Sequence, residues 1–373
     1  MRFRHLSLLV VFVCISIGPV LAQTPVSSKP VRIAIAGLAH GHLGRIIRLI
    51  KANPNVELVG LQDADPKLHA LMAERYGLPK SLFHADLDAM LDATKPEGVA
   101  GFGTTFDHKA VVEAAAGRGI HVMVEKPLAV SMADARAIED AATRGKIHVL
   151  VNYETTWYAS HAKLWTLIKE QKVAGEIRKM VAMDGHQGPK EIGVGDEFFA
   201  WLTDPVLNGA GALYDFGCYG ANLMTWLMDN QRPLAVTARV QQIKPHIYPK
   251  VDDEATILVE YPKAQGIIQA SWNWPFNRKD LEVYGASGYA VATGPDSLRV
   301  RVPKRGEQAS VLDPLPAEMQ DELAYFAGVI RGTIAPSGLS SLENNMIATE
   351  ILEAARESAR TGAAVKFSAS GQR

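Results

Sequence analysis

Between Val31 and Val151 short apolar runs alternate with helix-spaced stretches, and this alternation constrains the fold more than any other feature of the chain. Val31–Ala36, Val56–Gln62, Gly98–Gly103, Ile120–Val124 and Ile147–Val151 read as buried strands. His42–Ala52, Pro66–Tyr76, Asp86–Leu91, Asp107–Arg118 and Met132–Arg144 read as the helices between them. Such alternation implies parallel strands joined by right-handed crossovers. The expectation is an α/β, doubly wound parallel sheet. Beyond it the texture changes. A helix over His161–Lys172 is followed by period-two runs at Ile177–Asp184, Leu234–Gln242, Ala255–Tyr261, Gly266–Trp274, Leu281–Tyr284 and Leu298–Val302. Alternation of this kind with few helices predicts an α+β unit built on an open, largely antiparallel sheet with one face covered. Gly211–Leu227, Met319–Arg331 and Leu342–Arg360 read as its helices.

The N-terminus stands outside this pattern. Arg2, Arg4 and His5 precede an apolar run from Leu6 to Ile17, then Gly18-Pro19 and the small-residue ending Val20-Leu21-Ala22. That is the layout of a signal peptide, and the run is too short for a bilayer core, which takes about 20 residues. The expected organisation is a signal peptide at 1–22, a flexible lead-in at 23–30, a dinucleotide-binding unit at 31–151, a substrate and oligomerisation unit at 152–367 and a frayed tail at 368–373. Export to the periplasm or beyond follows, with no membrane attachment after cleavage. Cleavage removes Cys14 and leaves Cys218 alone, so no internal disulfide is expected. Lys and Arg number 39 against 40 Asp and Glu, a balance that argues against a nucleic-acid partner. An apolar share of 47% is ordinary for packed globular cores and excludes disorder as the dominant state.

Gly37-Leu38-Ala39-His40-Gly41-His42-Leu43-Gly44 closes the first strand and opens the first helix. A dinucleotide-binding, Rossmann-type sheet places its pyrophosphate there, because the turn is tight and the helix N-terminus offers unpaired N–H groups. The glycine fingerprint is degraded: Ala39 and His42 stand in its second and third glycine positions. Ala39 adds only a methyl near the phosphates. His42 threatens the close packing of helix on strand, which Gly41 and Gly44 could relieve by shifting the helix. Asp63 ends the second strand, 19 residues beyond Gly44. A carboxylate there accepts hydrogen bonds from an adenosine ribose and repels a 2′-phosphate. No arginine neighbours it, so NAD is expected in preference to NADP. The alternative for Asp63 is a solvated helix start with Asp65 and Pro66.

Glu125-Lys126-Pro127 lies at the carboxyl end of a buried strand, the edge that faces the ligand crevice in an open α/β sheet. Pro127 fixes the backbone and so aims Lys126. This turn resembles the signature of the Gfo/Idh/MocA oxidoreductases. Thr104-Thr105-Phe106-Asp107-His108 resembles that family's nicotinamide-side loop. The stretch Gly211 to Asn222 resembles its second-unit active-site helix, and Ser340, Leu342, Glu343 and Asn344 with Ser358 and Gly362 resemble its C-terminal helix. The resemblance spans 31–367 and implies that NAD meets Gly37, Ala39, His40, Gly41, His42, Asp63, Thr104, Thr105, His108, Glu125 and Lys126. Two departures stand out. The family's D-x-G-x-H-x-x-D motif here carries Asp215, Gly217, Tyr219 and Asn222, so tyrosine replaces the usual acid/base histidine. That variant is similar to the branch that includes glucose–fructose oxidoreductase and related sugar or dihydrodiol dehydrogenases. The family's Asn-x-Arg segment reads Asn152-Tyr153-Glu154.

Hydride removal from a secondary alcohol needs a base for the hydroxyl proton and a positive group beside the developing alkoxide. Asp215 and Tyr219 are four apart and would share one helix face. The expected catalytic set is therefore Tyr219 as acid/base, its pKa lowered by a nearby Lys126, with Lys126 as polarising donor and Asp215 as orienter. A core aromatic, a surface lysine and a helix cap are the structural alternatives. Asn152 and His186 join Lys126, Asp215 and Tyr219 as residues expected at a small carbohydrate substrate, although the Gly/Pro-rich loop around His186 could be structural. Trp272 and Trp274 suit sugar stacking, or else sheet packing or a subunit interface. His40, His42, His84 and His108 show no ligand spacing, so no metal is expected. The expected activity is an exported, NAD-linked oxidoreductase acting on a hydroxyl or keto group of a sugar or polyol. The alternative is redox-neutral glycoside cleavage by transient oxidation and elimination. A homo-oligomer formed through the second sheet is expected as well.

Overall fold

The computed structural model describes residues 29–368. The expected signal peptide, most of the lead-in and nearly all of the tail lie outside the described residues. The first half is a sheet of parallel strands, β1 (Val31–Ala36), β2 (Val56–Gln62), β3 (Phe83–His84), β4 (Gly98–Gly101), β5 (His121–Glu125) and β6 (Val149–Asn152). Their order is β3-β2-β1-β4-β5-β6. Helices α1 (Leu43–Ala52), α2 (Pro66–Tyr76), α3 (Leu87–Thr94), α4 (His108–Ala116) and α5 (Met132–Gly145) make the crossovers. Local chemistry sets the helix ends. Asp65 caps α2 by accepting from the Lys67 N–H, Pro66 occupies its first turn, and Gly77 closes it in the left-handed conformation. Strand order reverses between β1 and β4, and there a doubly wound sheet opens its ligand crevice.

The second half holds α6 (Ala159–Trp165), β7 (Ile177–Gly185), α7 (Asp196–Leu202), α8 (Ala212–Asp215), α9 (Gly217–Leu227), β8 (Ala235–Gln241), β9 (Glu254–Glu260) and β10 (Gln265–Ser271). It continues with β11 (Arg278–Gly285), β12 (Tyr289–Thr293), β13 (Leu298–Arg301), β14 (Gln308–Ala309), α10 (Glu322–Ile330), α11 (Leu342–Thr361) and β15 (Val365–Lys366). Nine strands form one sheet in the order β14-β13-β12-β11-β7-β10-β9-β8-β15. Only the β7–β10 pair is parallel. Helices α8, α9 and α11 cover one face. Gly220 permits this close approach: a β-carbon on it would lie 2.6 Å from Ile268.

Two expectations are corrected. The helix expected over Gly211–Leu227 is broken at Phe216 into α8 and α9, so Asp215 and Tyr219 do not share one continuous helix. The division at 151/152 is also incomplete, because α10 returns to the first half. Its Leu323, Tyr325, Phe326 and Val329 join the buried cluster of Ile33, Ile35 and Ile46. Burying that apolar stripe, at roughly 25 cal/mol per Å², ties the end of the chain to the first sheet. Glu322 anchors the same helix to Arg45 of α1 at 2.7 Å.

Candidate active site

The turn after β1 lies where the sequence places it. Gly37 takes a φ of +81°, and a β-carbon there would collide with Gly103, which follows β4. The two strand ends therefore meet, and a cleft of about 360 Å³ opens beside them, lined among others by Ala39, Asp63, Gly103, Thr104 and Asp107. Asp63 accepts the Leu38 N–H at 2.9 Å through Oδ2, and its other oxygen accepts the Asp65 N–H. Each carboxylate oxygen can accept twice, so room remains for ribose hydroxyls. The residues present thus fit the adenosine half of NAD. The expected conflict at His42 does not arise. Its side chain is 40% exposed and turns away from the helix–strand seam to reach Glu125.

A strap from the second half covers the turn. Trp201 of α7 donates its indole N–H to the Ala39 carbonyl at 3.2 Å, and the His40 ring packs against Phe198 and Trp201. His40 is consequently buried, and burial pushes its pKa well below the ordinary histidine value. Thr104 joins Asp107 in a capping box and borders the cleft. Thr105 and His108, expected at the cofactor, are both buried: Thr105 faces Asn208, and His108 donates its Nδ1–H to the Leu128 carbonyl at 3.2 Å.

Lys126 and Tyr219 converge from the two halves. Lys126 Nζ lies 5.3 Å from the Tyr219 ring centre and donates to Asp215 Oδ1 at 2.5 Å and to the Asp215 carbonyl at 3.0 Å. The indole N–H of Trp272 holds the other Asp215 oxygen at 2.9 Å. Trp272 is thus a buried packing residue that also orients Asp215. Burial penalises both charges of the Lys126–Asp215 pair. Their mutual attraction outweighs that penalty, raising the lysine pKa and lowering the aspartate pKa.

Tyr219 corrects an expectation. Burial, and then the negative charge of Glu154, push its pKa well above the ordinary phenol value, so Lys126 does not make it a phenolate. The lysine charge stands over the face of the ring and is already matched by Asp215. His186 packs edge-on against Phe216 at 4.9 Å, and its Nδ1 accepts the Gly188 N–H at 2.9 Å. Burial holds its pKa down at about 4, so it is a neutral ring with Nε2–H as donor.

Several functional neighbours carry no sequence signal. Lys279 of β11 stands opposite Asp184 of β7 in the sheet register. Its ammonium lies 5.3 Å from the Tyr219 ring centre and donates to Glu154 at 2.8 Å. Glu154, at the family's arginine position, thus inverts the local charge and gains a lysine partner from the other half. Asp184 is fully buried with neither oxygen partnered among the described residues, and burial pushes its pKa well above the ordinary value. Only cross-strand register could have placed Lys279 here. Asn152 donates to Glu125 at 2.9 Å and accepts from the Trp157 indole at 3.0 Å, so it braces Glu125.

His40, His42 and Glu125 offer ligand atoms within 4.8 Å of one another, a convergence that sequence spacing did not reveal. Their hydrogen bonds argue against a cation. His40 Nδ1 accepts the His42 backbone N–H, so its proton sits on Nε2, and His42 Nδ1 lies 3.1 Å from a Glu125 oxygen.

A nucleotide-binding turn, with a lysine after β5 paired to a buried carboxylate of α8 from the second half, defines a dinucleotide-dependent oxidoreductase of two units. Residues 31–153 match the family profile described as "Oxidoreductase family, NAD-binding Rossmann fold". Residues 161–291 match the "GFO/IDH/MocA C-terminal domain". The chain belongs to the Gfo/Idh/MocA family of oxidoreductases. The pig (Sus scrofa) trans-1,2-dihydrobenzene-1,2-diol dehydrogenase is 24% identical over 304 residues, which cover 80% of this chain and 83% of that protein. An inositol dehydrogenase homologue from Azotobacter vinelandii, solved with NAD+, superposes with a TM-score of 0.78 at 21% identity, covering 91% of this chain and 98% of the other. The aldose–aldose oxidoreductase of Caulobacter crescentus gives a TM-score of 0.75 at 21% identity, covering 91% and 100%. At that identity the two structures establish the shared fold.

Proposed function

We propose that this protein is an NAD-dependent dehydrogenase for a hydroxyl or keto group of a sugar or related polyol. The observation that carries the reading is the meeting of Lys126, from the nucleotide half, with Asp215 of α8 and Tyr219 of α9, from the second half. When bound, NAD supplies the hydride acceptor or donor. The protein supplies the rest. Lys126 has three N–H donors and spends two on Asp215, so the third is available to a substrate oxygen that gains negative charge. Asp215 keeps that lysine charged and fixed. Tyr219, whose pKa burial raises, can donate its proton to a substrate oxygen in the reduction direction. Dehydrogenases of small diols and sugars among its relatives support this substrate class.

The redox-neutral alternative has support of its own. A second cleft of about 430 Å³ adjoins Glu154 and Lys279 and carries exposed Phe276 at its rim. Arg278 stacks on Trp274 at 4.5 Å beside it. A glycoside would place its leaving group there. Oxidation of one sugar carbon acidifies the neighbouring C–H and allows elimination, and return of the hydride leaves no net redox change.

The proposal includes export, supported by the basic start and the apolar run before Gly18. It also includes self-association through the bare face of the second sheet, where Val181, Ile267 and Leu258 form a half-buried apolar strip across three paired strands. The experiment is to purify the protein, identify any released nucleotide, and offer sugars, polyols and aryl glycosides. Net reduction of added NAD is the expected result. Glycoside cleavage without net reduction would favour the alternative, and absence of both nucleotide and turnover would refute both readings.

A further inference from the structure

Lys279 passes over the carboxyl nearest to it in the sheet. It stands directly opposite Asp184, which is fully buried with neither oxygen partnered among the described residues. Its ammonium reaches instead across the seam between the halves and donates to Glu154 Oε2 at 2.8 Å. We propose that the Lys279–Glu154 pair is the specificity determinant of this enzyme and reads a second, unreacting hydroxyl of a neutral sugar or polyol. The inference rests on the oxidoreductase reading above and names what that site selects.

Two lysines from different halves flank the same pair of rings. Lys126 Nζ lies 5.3 Å from the ring centre of Tyr219 and 5.8 Å from that of Phe216. Lys279 Nζ lies 5.3 Å and 5.9 Å from the same two centres. One sugar-sized ring lying against these aromatics can therefore meet both ammoniums. Lys126 serves the reacting oxygen, so Lys279 falls to a different one. It spends one of its three N–H donors on Glu154. Glu154 accepts the Tyr158 hydroxyl at 2.6 Å through Oε1 and Lys279 through Oε2, and each oxygen can accept once more. The pair thus offers a donor and an acceptor side by side. A hydroxyl, which accepts and donates at once, satisfies both. A ketone, an ether or a bare methylene leaves one or both unmet.

Charge decides against an acidic substrate. Lys126 is matched by Asp215 and Lys279 by Glu154, and the His186 ring beside Phe216 is neutral. An added carboxylate or phosphate would lose its hydration and find no unmatched cation in return. The pair is also reachable. Lys279 and Glu154 are 16% and 46% exposed, and both line the cleft of about 430 Å³ that carries Phe276. Arg278 on the same cleft is itself matched by Asp280 at 2.7 Å, so the cleft as a whole suits uncharged hydroxyl groups.

The test uses Lys279→Met and Glu154→Gln in the full chain with NAD. The probes are D-glucose, D-galactose, D-xylose and myo-inositol, D-glucuronate, and those monodeoxy analogues of the fastest-oxidised probe that keep the reacting hydroxyl. Tryptophan fluorescence reads NAD affinity, which should match the parent's in both variants. In the parent, one monodeoxy analogue should lose about 10- to 100-fold in kcat/KM while the others lose little. Lys279→Met should lose the same factor on the full sugar and nothing further on that analogue, so the two losses do not add. Glu154→Gln should show the same non-additivity, and it carries the test if Lys279→Met does not fold. Equal losses on the sugar and on all its analogues would overturn the inference, because a merely structural residue does not distinguish one hydroxyl from another. So would D-glucuronate outrunning D-glucose in the parent and losing that advantage in Lys279→Met. A parent that binds NAD yet oxidises none of the probes would refute the dehydrogenase reading itself, whereas oxidation without the non-additivity would refute this inference alone.

Discussion

Lys126 and Asp215 are both buried, and each is charged because the other is there. Replacing Lys126 by Met leaves an uncompensated carboxylate in the crevice, which should cost about 3–5 kcal/mol of stability by urea titration. Adding Asp215→Asn should recover most of that stability, while hydride transfer stays at least about 100-fold down. The recovery separates folding from catalysis. A second residue-scale effect concerns pH. Burial holds the pKa of His161 down at about 4, against an ordinary value of 6.5. Between these values the unfolded chain binds a proton that the folded chain refuses, so stability falls as pH drops from about 6.5 to about 4 and then levels off, a loss of about 3 kcal/mol from this group. His186 adds a loss in the same window. Urea midpoints measured across that range should be flatter in a His161→Leu variant. Residue types at the site were legible where a local motif carried them. Gly37, Asp63, Lys126 and Asp215 each announced themselves by position on a strand end or in a motif. Lys279 and Glu154 did not, because a cross-strand neighbour and an inter-unit ion pair leave no local trace.

At the scale of elements, the site depends on α7 and on the break between α8 and α9. Helix α7 was absent from the sequence reading, since seven residues with two acidic and three aromatic side chains show no clear period. Yet it seals the phosphate-binding turn through Trp201 and Phe198. Trp201→Ala should weaken NAD binding by about 3- to 10-fold, the cost of re-ordering one or two side chains on binding, and a fluorescence titration reads it. The break at Phe216 re-aims Tyr219, whose backbone N–H bonds to the Phe216 carbonyl at 3.1 Å. Spacing alone gave Asp215 and Tyr219 one helix face. Their actual juxtaposition comes from packing against β10, where Gly220 allows close contact.

At the scale of the molecule, the two halves are laced together by α10, which sits late in sequence but lies on the first sheet. Phe326→Ala should therefore destabilise the nucleotide half by about 3–5 kcal/mol. A fragment limited to residues 31–151 should expose Ile33, Ile35 and Ile46 and fail to give a cooperative thermal transition. Calorimetry of both proteins checks this. Among the described residues no helix is long and apolar enough to cross a membrane.

The sequence by itself determined the strand–helix alternation of the first half, the antiparallel texture of the second, and the chemistry of the turn, of Asp63 and of Glu125-Lys126-Pro127. These are period and local conformation, written in neighbours along the chain. Tertiary structure alone decided that His42 faces Glu125, that Lys279 joins Glu154, that Tyr219 is buried enough to keep its proton, and that α10 closes the first sheet. Those outcomes depend on which distant surfaces exclude water together, and desolvation is a property of the packed whole.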